Sequence, residues 1–476
     1  MRVSAGLILI LLAGCAAGPD YRLPEKAVLI SPAARGTFDS GGEAAFVSGE
    51  PPDQWWRMYD DARLDAYITE ALTANYDLKA ADANLRRASF IVRETEAGRQ
   101  FQTSISGSAE IAVVRGKIRS PESYTYDLGA GVSYALDLAG GIRRGIEAAR
   151  ANNEAVQAAR DGVRVTVAAA VTRSYAAACS ANATLAATQR VLDVQRETLG
   201  VTTRLKQGGR GTEFDVTRAK AAFDLSTAAI PEIIASRQAA LYELAALMGR
   251  TPAAYPRELI QCISPPALRR AIPVGDGAQL LARRPDVRAA ERLLHAATAT
   301  IGLETANLYP RVSIGGPLGI AGPIAGFGTG SSFGGSLGPL LSWSFPNRAV
   351  ARARIAEAGA AAEAASADFD GIVIEALRQT ETALSAYARE ADRSATFALS
   401  RDDARRATEQ AGRLYRFGRT NFIDVLSAQS ALANAEAAFA QSRALLVDRQ
   451  IDLFLALGGG WGNDAPVETA GSAAAR

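Results

Sequence analysis

The sequence contains a single histidine, His295, three cysteines and three methionines, and aromatic residues make up only 7% of it. With a single imidazole, histidine-based metal sites and catalytic triads are nearly excluded. Charge of one sign is lacking too. The 52 basic and 50 acidic residues leave a net charge of +2, which offers no extended patch for nucleic acid. No run of 18 apolar residues occurs, so no segment reads as a membrane-spanning helix. A membrane role must therefore come from a lipid or from β-strands.

What is present starts at the N-terminus. Residues 1–14 read as an export signal, with Arg2 ahead of a short apolar core and small residues leading to Cys15. Leu12-Ala13-Gly14-Cys15 has the pattern in which a cysteine thiol is acylated and becomes the mature N-terminus. The expected covalent additions are a diacylglycerol and an N-acyl chain on Cys15, with no other cofactor and no metal. Ala16 stands where an aspartate would favour inner-membrane retention, which points to the outer membrane. Cys179, among alanines, reads as a small apolar residue. Cys262 lies in a proline-rich connector, and a bridge between the two has no support from their spacing.

Residues 15–60 are punctuated by Pro and Gly and read as an extended arm, with Trp55-Trp56 as packing anchors. Helical spacing follows over 62–98. Within 102–138 the pattern changes to alternation: Tyr126, Leu128, Ala130, Val132, Tyr134 and Leu136 are separated by polar or small residues, as in a half-buried strand. The stretch 102–115 reads as its partner. Helical spacing then returns for about 65 residues, a length of about 100 Å at 1.5 Å per residue. It stops at a tip, 205–212, containing Gly209-Arg210-Gly211. A return helix over 212–248 carries a narrow apolar seam, Val216, Ala219, Phe223, Ser226, Ile230 and Ile233. Pro231 should break or kink it.

After a connector at 251–276 the chain repeats itself. Gly209 and Arg210 recur as Gly418 and Arg419, and Asp215-Val216 as Asp424-Val425, at a constant offset (418 − 209 = 209). Asp77-Leu78 and Asp286-Val287, Ser104-Ile105 and Ser313-Ile314, and Asp161-Gly162 and Asp370-Gly371 keep the same offset. The fold class is mixed α and β, internally duplicated, with long antiparallel helical hairpins. The first repeat spans 61–250. The second, 277–462, has strands at 311–322 and 333–345 and a tip at 415–421, and 463–476 is a flexible tail. Four strands that enter a membrane cannot leave an edge in lipid and are too few to close alone, so several chains would have to share one barrel. Tyr124, Tyr126, Tyr134, Trp343 and Phe345 are the candidate aromatics for its interfaces.

Leu12-Ala-Gly-Cys15, Gly18-Pro19-Asp20-Tyr21, Trp55-Trp56, Arg284-Pro-Asp-Val-Arg-Ala-Ala-Glu-Arg292, Tyr309-Pro310, Tyr415…Gly418…Asp424-Val425-Leu426 and Ala456-Leu-Gly-Gly-Gly-Trp461 together resemble the TolC-like outer-membrane efflux proteins, in their NodT-type lipoprotein branch. The resemblance implies a homotrimer with a shared twelve-stranded transmembrane β-barrel and a periplasmic α-barrel. It also implies a periplasmic adaptor and an inner-membrane pump of the RND type as partners. Gly209, Arg210 and Gly211 with Gly418, Arg419 and Thr420 become adaptor-docking tips. Asp424, Asp215 and Tyr415 become gate residues, and Ser427 stands where the family commonly has a second carboxylate. A local reading of Asp424 competes, as a helix N-terminal charge favoured by the dipole. The expected function is a passive conduit without catalysis; the rival is a lipid-anchored periplasmic coiled-coil scaffold. His295 aligns with Arg86 and reads as a solvated helix residue, while Tyr67, Asp77 and Asp286 read as structural.

Overall fold

The offset of the repeat reappears in the element boundaries. The computed structural model describes residues 16–112, 123–343 and 348–459. Besides a single turn at Pro32–Arg35, its helices are α1 (Ala62–Ala74), α2 (Tyr76–Glu96), α3 (Gly141–Gln207), α4 (Glu213–Ala228), α5 (Ile230–Leu247), α6 (Gly277–Arg283), α7 (Pro285–Ala306), α8 (Arg348–Arg416) and α9 (Phe422–Ala456). The return segment starts at Glu213 in one half and Phe422 in the other, and ends at Leu247 and Ala456 (422 − 213 = 209 and 456 − 247 = 209). Among the described residues, no helix is long and apolar enough to cross a membrane.

One sequence expectation needs correction here. The helix expected over 62–98 is interrupted at Asn75, whose extended backbone ends α1. Its Oδ1 then caps α2 by accepting from the amides of Asp77 (2.9 Å) and Leu78 (3.1 Å). Arg284, the equivalent of Asn75, separates α6 from α7 in the same way. Each break residue also holds the end of a return helix: Asn75 Nδ2 donates to the Leu247 carbonyl (3.0 Å) and Arg284 Nη1 to that of Ala456 (2.9 Å). Orphan carbonyls at a helix terminus are satisfied by side-chain donors in both halves. The return helix of the first half breaks at Ala229, just ahead of Pro231, whereas α9 runs through unbroken.

The chain forms two units. One gathers the arm up to Ala27 with Ala83–Ala158 and Arg288–Ile372; the other comprises Val28–Asp82, Ala159–Val287 and the chain from Val373 onward. The second unit has the larger apolar core. Trp55 is fully buried and stacks on Phe454 with ring centroids 4.7 Å apart, and Leu64, Ile68, Tyr175, Leu241, Leu244 and Leu384 belong to the same buried cluster. The Trp pair is thus a packing anchor. Tyr67 donates to Glu258 (2.6 Å), and Asp286 pairs with Arg284. Cys179 and Cys262 are joined as a disulfide, with Cα atoms 4.9 Å apart. Spacing could not show this, because the repeat supplies Cys179 only with Ala388 as a counterpart and the contact depends on where the connector folds back.

In the first unit the sheet strands are β1 (Gln102–Ala112), β2 (Ser123–Leu136), β3 (Arg311–Pro323), β4 (Phe333–Gly335) and β5 (Gly338–Ser342). All pairings are antiparallel: β1 on β2, β2 on β3, and both β4 and β5 on β3. The strand expected over 333–345 is therefore in two pieces. They share one register, Leu318↔Gly335 and Gly315↔Gly338, and the gap lies opposite Gly316 and Pro317. Proline has no N–H to give to the ladder, although its carbonyl still accepts from Ser336 (3.0 Å).

The arm is seated on this unit. Gly18 has a left-handed φ of +80°, and a Cβ there would lie 2.4 Å from the Gly302 Cα, so both positions require glycine. The buried Arg144 donates to the carbonyls of Ala17 (3.2 Å) and Gly18 (3.4 Å) and to Asp20 (2.7 Å). Tyr21 donates to Glu291 (2.5 Å) and stacks on His295 at 4.3 Å, while His295 Nε2 lies 3.0 Å from Glu147. His295 is thus covered by the arm, not solvated, because Tyr21 occupies the helix face that the helical pattern leaves open.

Candidate functional site

Two regions carry the candidate residues, the sheet and the hairpin tips. In the sheet, register sorts the side chains cleanly. One face carries Ile105↔Ala130, Ala109↔Tyr126 and Ile111↔Tyr124, continued across β3 by Leu128↔Ile320, Ala130↔Leu318 and Tyr134↔Ile314. The other carries Gln102↔Ser133, Ser104↔Gly131, Ser108↔Asp127 and Glu110↔Thr125. A strand has a side-chain period of two, so this separation of apolar from polar and small residues is the alternation of the sequence made spatial. Ile105 is 86% exposed on the apolar face. A cleft of about 600 Å³ opens over the opposite face, against Ser104, Ser106, Asp127, Gly129 and Ser133.

Tyr124, Tyr126, Tyr134 and Trp343 all fall on the apolar side. Tyr124 and Tyr126 stand at the strand ends remote from the helices, and Tyr134 and Trp343 at the ends that join them. The Trp343 indole N–H donates to the Leu308 carbonyl (3.2 Å). Phe345 and Cys15 lie outside the described residues. Two aromatics were missed from the sequence: Phe101, against Tyr134 at 5.1 Å, and Phe327, against Tyr126 at 4.8 Å. Their position at strand ends was the available signal.

Both tips close with the same turn. Gly209 and Gly418 adopt φ of +68° and +69°. Around them run the paired bonds of a Schellman turn: Gly209 N to Lys206 O (3.0 Å) with Arg210 N to Leu205 O (2.8 Å), and Gly418 N to Tyr415 O (2.9 Å) with Arg419 N to Leu414 O (2.9 Å). Gly211 follows Arg210 at the first turn and Thr420 follows Arg419 at the second. Phe214 and Phe417, also missed, expose apolar rings beside them, the latter to 79%.

The carboxylates behind the tips are engaged by their own helices. Asp215 completes a capping box with Thr212, accepting from the Thr212 amide (3.2 Å) while its own amide donates to Thr212 Oγ1 (3.1 Å). Asn421 caps α9 by accepting from the Asp424 amide (2.9 Å), and the Thr420 hydroxyl donates to the Asp424 carboxylate. Tyr415 packs its ring on Phe422 with centroids 5.8 Å apart and lies within electrostatic reach of Asp215 of the other tip. Burial first, and then the Asp215 charge, push the Tyr415 hydroxyl above its ordinary ionisation range. Ser427 is exposed. Beside Tyr415 a cleft of about 340 Å³ is lined by residues of α3, α8 and α9, among them Thr198, Gln429 and the Arg405–Glu436 ion pair.

The family model described as outer membrane efflux protein matches the chain twice, over residues 67–250 and 277–459. The chain belongs to the outer membrane efflux protein family. Nodulation protein T of Rhizobium leguminosarum bv. trifolii is 28% identical over 465 residues, 97% of each chain. Outer membrane protein OprJ of Pseudomonas aeruginosa is 27% identical, with 96% of each chain covered. Among solved structures, the outer-membrane channel OprN superposes with a TM-score of 0.86 at 32% identity, over 94% of this chain and all of that one. As a member of the family, the protein resides in the outer membrane and is the channel component of an efflux system. The duplicated helix–sheet fold is the TolC-like fold of these channels.

Proposed function

We propose that the protein acts as a passive homotrimeric exit duct, lipid-anchored through Cys15, which receives cargo from an RND-type inner-membrane pump through a periplasmic adaptor. The observation that carries this reading is the sheet. Among the described residues, β1 has no partner on its outer side, and neither do β4 and β5. Unpaired edges are not tolerated in lipid, and three copies of a four-strand unit, counting β4 and β5 as one, give twelve strands to close. The apolar face then meets lipid, with Tyr124 and Tyr126 at one interface and Tyr134 and Trp343 at the other, joined by Phe345. The small polar face lines a water-filled lumen.

The Schellman turns at Gly209 and Gly418 present Arg210, Gly211, Arg419 and Thr420 to the adaptor. Tyr415, within electrostatic reach of Asp215 on the other hairpin, acts as a closing residue. Asp424, repeated three times by symmetry, gives the entrance its cation preference. Nothing in this reading calls for bond-making chemistry, and the protein is no enzyme. Planar-bilayer recording of the detergent-extracted, heat-resistant trimer tests it. Cation-selective conductance is expected, with a higher resting conductance in Tyr415→Phe. A purified monomer without conductance would leave the periplasmic scaffold standing instead.

A further inference from the structure

The junction where β2 and β3 meet the helices contains a cleft of about 430 Å³ that neither the conduit nor the tips use. Its apolar lining is Leu136, Leu138, Ile142, Leu303, Ala306 and Val312. It is hollow because Gly98, Gly141 and Gly145 put no side chains into it; a Cβ at Gly98 would meet only Ile142, at 3.8 Å. The arm arrives at the same two elements. Ala17 N donates to the Ala139 carbonyl (2.9 Å), and Ala16 packs so closely on Gly140 that a Cβ there would come within 2.7 Å of the Ala16 Cα. Gly18 sits on Gly302, one residue before the lining residue Leu303. Arg144 fixes this placement with its three bonds to Ala17, Gly18 and Asp20.

We propose that this cleft seats one fatty acyl chain, the amide-linked chain carried by Cys15. The inference rests on the lipidation reading above. Cys15 is one residue from Ala16, and Ala16 is held against the loop whose neighbouring residues form the cleft wall. An open apolar cleft beside water is costly, and a covalently tethered hydrocarbon chain covers it at high effective concentration. The two ester-linked chains remain for the bilayer. The Arg144 clasp thereby fixes the anchor to the sheet junction instead of leaving it on a free tether.

Benzoylphenylalanine at Leu138, on the exposed rim of the cleft, tests this in full-length protein expressed with its own signal and purified from outer membranes. After irradiation, mass spectrometry should find the peptide bearing position 138 joined through an acyl chain to the Cys15 peptide. Gly98→Phe, which fills the cleft, should reduce that product several-fold while Cys15 keeps its acyl mass. A phospholipid adduct at position 138 would assign the cleft to free lipid, and a crosslink to a second copy would assign it to the trimer interface. Either overturns the proposal. A fully acylated Cys15 with no crosslink overturns the seat and leaves lipidation intact, whereas a Cys15 peptide without acyl mass overturns both.

Discussion

The two halves differ far more along their return helices than at their tips. At the tips, Gly209 and Gly418 have φ within a degree of each other, and both turns close with the same pair of bonds. About twenty residues on, the halves diverge. The first return segment breaks at Ala229 before Pro231, and its half is stapled by Cys179–Cys262; the second carries Ala440 at the proline's position and is a continuous helix of 35 residues. Of α4 only Ala219 is buried, whereas α9 buries Phe422, Val425, Gln429, Leu432 and more. A duplicated sequence thus keeps its turn chemistry fixed and varies its helix packing, as expected if the turn answers to a local backbone requirement and the helix to its neighbours.

Removing the staple is the largest single change that sets the halves apart. Its cysteines are 83 residues apart, and closing a loop of that size restricts the unfolded chain by about 4 kcal/mol. Cys179→Ser with Cys262→Ser should lower the thermal midpoint accordingly. A reductant should lower it equally in the parent protein and leave the double variant unmoved. Next in size is the helix exchange. Ala440→Pro should cost about 3 kcal/mol by removing an internal hydrogen bond from α9 and clashing with the preceding turn. Pro231→Ala should instead join α4 to α5, read as slower amide exchange across residues 227–232.

Much of this architecture is legible in the sequence, for reasons that also mark the limits. The constant offset fixes where the return helices start, because glycine and a capping residue bound each tip. Alternation over 126–136 gives β2 and the identity of its faces, since burial on one side imposes a period of two. Other features depend on contacts that no local pattern encodes. Asn75 interrupts a helical pattern because its side chain reaches α5 as well as α2. His295 loses its solvent to Tyr21, a residue far away in the chain. The gap between β4 and β5 reflects Pro317 on the neighbouring strand. At the tips, the capping of Asp215 by Thr212 is readable from their three-residue spacing, while its approach to Tyr415 comes from the pairing of two hairpins.

The equality of the tips is itself testable. Nothing lies within 4 Å of a Cβ built on Gly209 or Gly418, so neither substitution creates a clash. The cost of Gly209→Ala and of Gly418→Ala is then the left-handed backbone alone, about 1–2 kcal/mol each. Amide exchange in the last turn of α3 and of α8 should accelerate to a similar degree in the two variants. A clearly larger effect at one tip would show that the other has a tertiary restraint which the shared hydrogen-bond pattern conceals.

The smallest effect separates the two carboxylates. Asp215 opposes ionisation of Tyr415, and Asp424 does not contribute to that shift. Asp215→Asn keeps an acceptor for the Thr212 amide, so the cap survives while the charge is lost. The Tyr415 titration, followed by ultraviolet difference spectra with Tyr415→Phe as blank, should move down toward its ordinary value of about 10 without reaching it, because burial remains. Asp424→Asn should leave it in place. The sign carries through to stability: a hydroxyl whose folded value is raised contributes fully below the ordinary tyrosine range and loses that contribution as pH rises through the folded value. The stability that un-ionised Tyr415 contributes should therefore be lost only in alkali, and the loss should shrink in Asp215→Asn. An equal response to both substitutions would mean that the two repeats share one electrostatic environment, and that the pairing of Tyr415 with Asp215 alone is wrong.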